Sequence, residues 1–510
     1  MRFMMVDPRT PVLVGVAQYV DRDSEPVSAL SPADMLARVA EGAIADSGGA
    51  GIAAALDMVA VIRLFADSGP AFASPFGHYT NLPRSLANRI GASPRELIYP
   101  PVGGNTPQMM VNLLAERIAN GEAEVALIAG CEPLRTQAKA QKVGIALNWG
   151  EDTSDTPDAL DKDKPMISRH ELAHGIALPV SVYPLFENAV GHHYGRTPLE
   201  HRAKIGELMA PFTKVAAANP YATLPIERTP EELVTPTDAN RYIGYPYTKF
   251  LNSLLFVDQA AALLMMSTAA ADRLGVRQDK RVYLHGCADT HEKMLVSDRV
   301  DYWSSPAVKV GAAHALAQAG KTPADLQHIE IYSCFPVAVE IAADMIGIAH
   351  DDPRGLTLTG GLPYFGGPGN NYSTHGIAEV VERCRAAPGS FGLVFANGGY
   401  LTKHGFGVYS TEPTQGAWSR TDPATYQAEI DAMPSPPLAE QPSGEGVVET
   451  FTVIFDKGRP VVGTIIGRLS SGERFLAQMH DRLDELIDQP VIGRRIAVEA
   501  GTPANIATFV

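Results

Sequence analysis

The sequence predicts an α/β protein of two similar halves, each a mixed sheet of βαβ type covered by helices. An inserted loop region separates the halves, and a small all-β barrel follows them. Three observations carry this expectation: short apolar runs alternate with amphipathic stretches from Thr10 onward, the alternation restarts near Arg281, and the chain beyond Gly446 changes to short β-branched segments between glycine and charged turns.

In the first half, residues 1–147, PVLVGVAQ, LDMVAVIRLFA and EVALIAG read as strands, while ADMLARVAEGAIADSG and QMMVNLLAERIANG read as helices. Interleaving of this kind gives a sheet covered on both faces. Residues 148–247 are rich in Pro, Asp and Thr and carry one long polar helix, TPLEHRAKIGELMAPFTKVAAAN, as an inserted loop region does. The second half, residues 248–410, repeats the pattern with RVYLHGCA, VGAAHALAQAG, HIEIYSCF, FGLVFANGG and VYS. Residues 411–446 are dense in Pro, Ser and acidic side chains and read as a linker that few contacts cross. Residues 447–510 supply GVVETFTVIF, RPVVGTIIGRL, ERFLAQMH and GRRIAVEAG, strands too short to stand without closure into a barrel.

The chain has 510 residues, 45% hydrophobic and 19% charged, enough to bury two or three cores. A formal charge of −15 opposes the long-range attraction to phosphate on which nucleic-acid and anionic-membrane binding depend, so neither partner is expected. Cys131, Cys287, Cys334 and Cys384 are far apart and form no CxxC pair, which excludes a disulfide framework and a zinc knuckle and predicts no metal site. The short apolar start reaches Asp7 quickly, and the run Leu254 to Met266 is broken by Asp258 and Gln259. Neither a signal peptide nor a membrane-spanning helix is read there, and a cytoplasmic protein is expected.

Four segments bear on chemistry: GGNTPQMMVNLLAERIANGEAEVALIAGCEPL, EIYSCFPVAVE, TLTGGLPYFGGPGNNYSTHGIAEVVERCR and FANGGYLTKHGFGVYS. In this order they resemble the four catalytic segments of the thiolase superfamily. With FENAVGHHYGR and NRYIGYPYTKF, the first 410 or so residues are most similar to thiolase-like proteins of type 1 and their sterol-carrier-protein relatives. The resemblance implies a thiolase fold and an acyltransferase ancestry in lipid metabolism. It also implies coenzyme A or an acyl-CoA as ligand, with no tightly bound cofactor.

The departures from that pattern are specific. A thiolase presents a cysteine at the start of a helix, whose aligned N–H groups lower the thiol pKa; here that position is Gly104, and no acyl-enzyme can form on it. Thr106 before Pro107 reads as the helix cap and first helical residue. In the second segment Cys334 and Phe335 match, but Tyr332 and Ser333 replace the polar pair that positions water or an oxyanion donor. In the third, Gly360, Gly361, Gly366 and Pro368 are in register while the catalytic histidine falls on Gly367, with His375 further along the helix that begins near Asn371. In the fourth, Ala396 or Phe395 stands at the acid/base cysteine, followed by Lys403 and His404.

By the resemblance, Gly104, Asn105, Gly367, Asn397, Arg196 and Ser253 are the residues expected to meet coenzyme A or its thioester, with His192 beside Arg196. The catalytic candidates are Tyr332, Tyr372, His375 and His404. Two functions follow from the losses: an acyl-CoA-binding protein without thiolase turnover, a pseudoenzyme, or a lyase that cleaves a β-hydroxyacyl-CoA by retro-aldol chemistry through tyrosines. The lyase needs a cation, from His375, His404 or Lys403, to lower a tyrosine pKa from near 10. The C-terminal segments resemble the oligonucleotide-type barrels found beside thiolase-like enzymes. They lack a ladder of exposed aromatics, so a structural or gating role is expected. The fold family pairs through a central strand, so the chain is expected to be a homodimer, or a monomer if the added barrel blocks that surface.

Overall fold

A computed structural model describes residues 6–160 and 164–510 of the chain; all but Val6 of the apolar start ahead of Asp7 lies outside the described residues. Nine strands form one sheet in the order Glu96–Ile98, Met58–Val61, Val125–Pro133, Asp258–Ser267, Pro11–Val20, Val282–His291, Lys403–Ser410, Phe391–Gly398 and His328–Ile331. Val125–Pro133 and Asp258–Ser267 are buried along their whole length, and sheets covered on both faces read as such unbroken apolar runs. Asp258 and Gln259 therefore open a strand, and no helix among the described residues is long and apolar enough to cross a membrane.

The strand Asp258–Ser267 pairs antiparallel with both Pro11–Val20 and Val125–Pro133. By pairing it completes the sheet of the first half, although in sequence it follows the inserted loop region. The two halves meet along a narrow seam where Val12 and Leu13 pair with Tyr283 and Val282.

The helices Thr106–Ala119 and Tyr372–Ala386 pack against each other between the halves, burying Met110, Leu114, Ile377 and Val380 against strands of both. Pro32–Ser47 covers the outer face of the first half, and Pro306–Ala319 with Pro336–Ile346 covers that of the second. The result is a five-layered stack in which Ser373 Oγ donates to Gly104 O at 2.6 Å and ties the starts of the two central helices together.

The barrel closes as expected from its short strands: Ser443–Asp456, Arg459–Leu469, Arg474–Met479, Ile506–Phe509 and Arg495–Glu499 form a five-stranded ring. Tyr242–Gly244 and Tyr247–Thr248 of the inserted region extend that sheet. The segment before the barrel differs from a free linker. It contains the helix Pro423–Asp431, Trp418 Nε1 donates to Leu284 O at 2.7 Å, Arg420 pairs with Asp289 at 2.6 Å, and Asp289 N donates to Tyr426 Oη at 3.1 Å. A few aromatic and arginine anchors hold a stretch whose overall composition reads as loose.

The barrel is fastened to the core by a buried charge. Arg474 has 0% exposure and bonds Glu449 Oε2 at 2.9 Å, Ser297 O at 2.7 Å and Arg299 O at 2.6 Å. At the other end of the molecule, the edge strand Glu96–Ile98 is covered by the chain itself, with Asp158 N donating to Leu97 O at 2.7 Å and Tyr99 N to Asp158 O at 2.8 Å. That edge has no open row of backbone groups for pairing with a second copy.

Because contacts cross residues 411–446 throughout, a chain ending at Ser410 is expected to be insoluble or to lose its near-ultraviolet circular dichroism. A truncated chain with native spectra and a sharp unfolding transition would contradict this reading of the interface.

Candidate functional site

The turn before the helix Thr106–Ala119 is held from three sides. Gly103 N donates to Asn370 Oδ1 at 2.9 Å, Lys403 Nζ donates to Val102 O at 2.5 Å, and Ser373 takes Gly104 O. Asn105 occupies the cap position and Thr106 is the first helical residue, because the Thr106 hydroxyl turns back to Pro101 O at 3.1 Å. The expected capping by Thr106 is thus corrected by one residue.

Gly104 has no room for a side chain. A Cβ built there falls 2.5 Å from Asn397 O and closer still to Tyr332 Oη, whereas ordinary contact begins at 3.4 Å. The Tyr332 hydroxyl therefore stands in the space that a nucleophilic side chain on residue 104 would enter. Neither Gly104→Cys nor Gly104→Trp can be built without displacing it.

Tyr372 lies edge-on to Tyr332, with ring centroids 5.2 Å apart. Its hydroxyl is committed elsewhere, donating to Glu330 Oε1 at 2.7 Å and sharing a 2.6 Å bond with Thr359 Oγ1. Glu330 also accepts from Thr359 N, so this pair pins the glycine-rich segment. Burial pushes both tyrosines well above the ordinary phenol range.

The two histidines expected beside the tyrosines are turned away. His375 Nδ1 meets Gln18 Oε1 at 2.8 Å on the strand Pro11–Val20, and its Nε2 is buried without a partner. His404 alternates with Gly405, whose side faces Gln108 on the Thr106 helix, so His404 projects from the opposite face of its strand, where its ring packs 5.5 Å from that of Phe395. Burial lowers each to about 3, so both are neutral near pH 7. Neither histidine carries charge near neutrality, and burial dominates the tyrosine shifts.

The expected binding residues separate into two places. Gly367 has room for a Cβ, which would meet Leu254 O at 3.4 Å and Leu362 Cδ2 and Ser253 Cβ at 3.5 Å, ordinary contacts. Ser253 Oγ donates to Cys334 O at 2.8 Å, and Asn397 Nδ2 donates to Tyr183 Oη at 2.9 Å. Asn105 Oδ1 and Asn397 Oδ1 are buried without hydrogen-bond partners among the described residues. Contacts thus link Gly104, Asn105, Tyr332 and Asn397 through Cys334 to Ser253 and Gly367. Gly366 precedes it with φ +125°, a backbone state that favours glycine, and any side chain there would strike Gln259 Oε1.

Arg196 stands elsewhere, in a buried group with Glu187, His201 and Glu340, and His192 is exposed nearby. Among the described residues Glu187, His201 and Glu340 have the spacing of metal ligands. Arg196, a donor only, lies 3.2 Å from His201 Nδ1, which makes that nitrogen an acceptor. Nε2 then carries the proton and gives it to Glu187 at 2.6 Å, so Arg196 supplies the cation of the group.

Sequence reasoning missed Tyr183, which bonds Gly399 O at 3.0 Å, Leu401 N at 3.2 Å and Asn397, and stacks on Phe335 at 4.5 Å. It also missed Asn370 and Ser373. The available signal was the cluster of amides and hydroxyls in GPGNNYST, more polar than a helix start needs.

A five-layered α/β stack with four catalytic segments converging at two central helix starts defines a thiolase-fold protein, here one without an acyl-accepting side chain. Over 99% of its length and 100% of the other chain, with 40% identity and a TM-score of 0.86, it is similar to a crystal structure of a monomeric SCP2-thiolase-like protein type 1 from Mycobacterium smegmatis. The chain belongs to that type 1 family, and residues 425–502 match the thiolase-like protein type 1 additional C-terminal domain. An acetyl-CoA acetyltransferase of Methanothermobacter thermautotrophicus is 23% identical over 42% of this chain and 55% of its own length, so the chain spans about half of that relative. An Ltp2–ChsH2(DUF35) aldolase shares the fold at 18% identity, TM-score 0.58, over 79% of this chain and 99% of that chain.

The two neutral histidines make stability depend on pH in a stated direction. Unfolded histidine binds a proton below about 6.5, while the folded groups refuse it until about 3. Stability is therefore lost as pH falls through that window, by up to about 1.4 kcal/mol per pH unit for each histidine. Urea unfolding of His404→Leu between pH 6 and 4.5 should show a slope shallower by about that amount, and a slope equal to the parent's would contradict the assignment.

Proposed function

We propose that the protein binds coenzyme A thioesters along Gly104, Tyr332, Ser253 and Gly367 and forms no acyl-enzyme. The observation that carries this reading is the Tyr332 hydroxyl in the place of the nucleophilic side chain. Family membership supports a thioester as the ligand. Tyr332, held protonated by burial, is suited to donate to a thioester oxygen, with the start of the Thr106–Ala119 helix adding aligned N–H groups.

Retro-aldol cleavage of a β-hydroxyacyl thioester is the second reading, favoured by the same hydroxyl. It requires a group that takes the β-hydroxyl proton. Tyr332 is held in its acid form, Tyr372 is bonded to Glu330, and His375 and His404 project elsewhere. Binding without turnover is accordingly the primary reading. The barrel and its anchored approach segment serve as structure in it, closing one side of the inserted region.

Isothermal calorimetry with coenzyme A and acetyl-CoA is expected to show saturable binding in the parent. Gly367→Leu, whose Cβ makes only ordinary contacts while its further carbons crowd Ser253, should weaken the thioester at least about tenfold, with circular dichroism checking that the variant folds. Intact mass after incubation with acetyl-CoA should equal that of the untreated chain. Absence of binding at millimolar ligand, or an added acetyl group, would overturn the proposal.

A further inference from the structure

Away from the Gly104 turn, the helix Pro198–Ala218 and residues 350–357 enclose a second cavity of about 410 Å³. That volume lies within the range of small-molecule sites. One wall is apolar: Leu208, Phe212 and Val215 recur at helical spacing on one side of the helix and face Leu356.

The floor is polar and largely buried. Glu340 is 1% exposed, and its Oε2 has no hydrogen-bond partner among the described residues. Arg196 gives one N–H to His201 Nδ1, stacks 4.2 Å above the Tyr194 ring and makes only a long pair, 3.7 Å, with Glu340 Oε1. No acceptor among the described residues takes its remaining N–H groups within hydrogen-bond distance. His350 closes the side, bonded to Asp344 at 3.0 Å. Glu187 and Glu340 face each other out of water, and desolvation with their mutual repulsion pushes the Glu340 carboxyl well above the usual carboxylate range. At the mouth, Glu207 is paired with Lys204 at 2.6 Å and Asp352 with Arg354 at 2.7 Å, while Asp351 lies in solvent.

We propose that this cavity is a second ligand site, separate from the thioester site, for a small amphiphilic carboxylic acid bound as its anion. Its carboxylate takes the open N–H groups of Arg196, and its hydrocarbon body lies against Leu208, Phe212, Val215 and Leu356. The chemistry discriminates among head groups. An ammonium would face Arg196 and His350, and an alcohol would offer the guanidinium only a single neutral acceptor.

The test titrates hexanoate, hexan-1-ol and hexylamine into the full-length protein by calorimetry. Hexanoate is expected to bind saturably and at least about tenfold tighter than the other two. Arg196→Met should weaken hexanoate by at least about tenfold. Because Arg196 also neutralises buried groups, Val215→Trp on the half-buried rim of the helix serves as an independent variant; it fills the cavity and should abolish hexanoate binding with the circular dichroism spectrum unchanged. Equal affinity for hexanoate and hexanol, no saturable hexanoate binding at millimolar concentration, or hexanoate binding untouched by Val215→Trp would overturn the proposal.

Discussion

The Tyr332 hydroxyl and the Asn397 carbonyl oxygen fill the space beyond the Gly104 Cα, and the geometry around the cleft follows from that contact. With residue 104 reduced to glycine, the strand Phe391–Gly398 can approach the start of the Thr106–Ala119 helix. Asn370, Ser373 and Lys403 then hold the turn in place by hydrogen bonds to its backbone. Chemistry changes with packing: a site of this family that would make a covalent bond instead presents a protonated phenol. Loss of the nucleophile and gain of the tyrosine are two sides of one steric arrangement.

The same logic extends outward through buried polar clamps. Arg299 gives N–H groups to Leu401 O at 2.8 Å and Tyr400 O at 3.0 Å, fixing the hairpin that carries Asn397. Its own backbone carbonyl accepts from Arg474 of the barrel. A chain of buried donors and acceptors thus runs from barrel to hairpin to cleft, and removing one member leaves its partners unsatisfied in low dielectric. This explains why residues 411–446, polar and proline-rich as they are, cannot behave as a free tether.

Much of the fold was legible because burial on both faces writes itself as unbroken apolar runs, such as Ala126 to Gly130 and Ala260 to Met266. The barrel was legible from β-branched segments between glycine turns. The membership of Asp258–Ser267 in the first half's sheet was not, because strand pairing across an insertion leaves no local signal. At the site, the substitutions at Gly104 and Gly367 were legible by position, but their consequences diverge: one glycine leaves no room for a Cβ and the other does, which only the surrounding atoms decide. His375 and His404 lay close in sequence to the glycine-rich segments yet face away, one by helix rotation and one by strand alternation. Arg196, expected to meet coenzyme A, stands beside His201 and Glu340, away from the Gly104 turn.

The most direct measurement of the central claim is a double-mutant cycle of stability between residues 104 and 332. Gly104→Ala, Tyr332→Ser and the double variant are unfolded in urea alongside the parent. If the tyrosine hydroxyl occupies the side-chain space of residue 104, alanine at 104 should be strongly destabilising alone and much less so once Tyr332 is shortened. A coupling of about 1–3 kcal/mol is expected, with the Asn397 carbonyl limiting full rescue. Additive effects within about 0.5 kcal/mol would contradict the account, because the two residues would then not compete for one space.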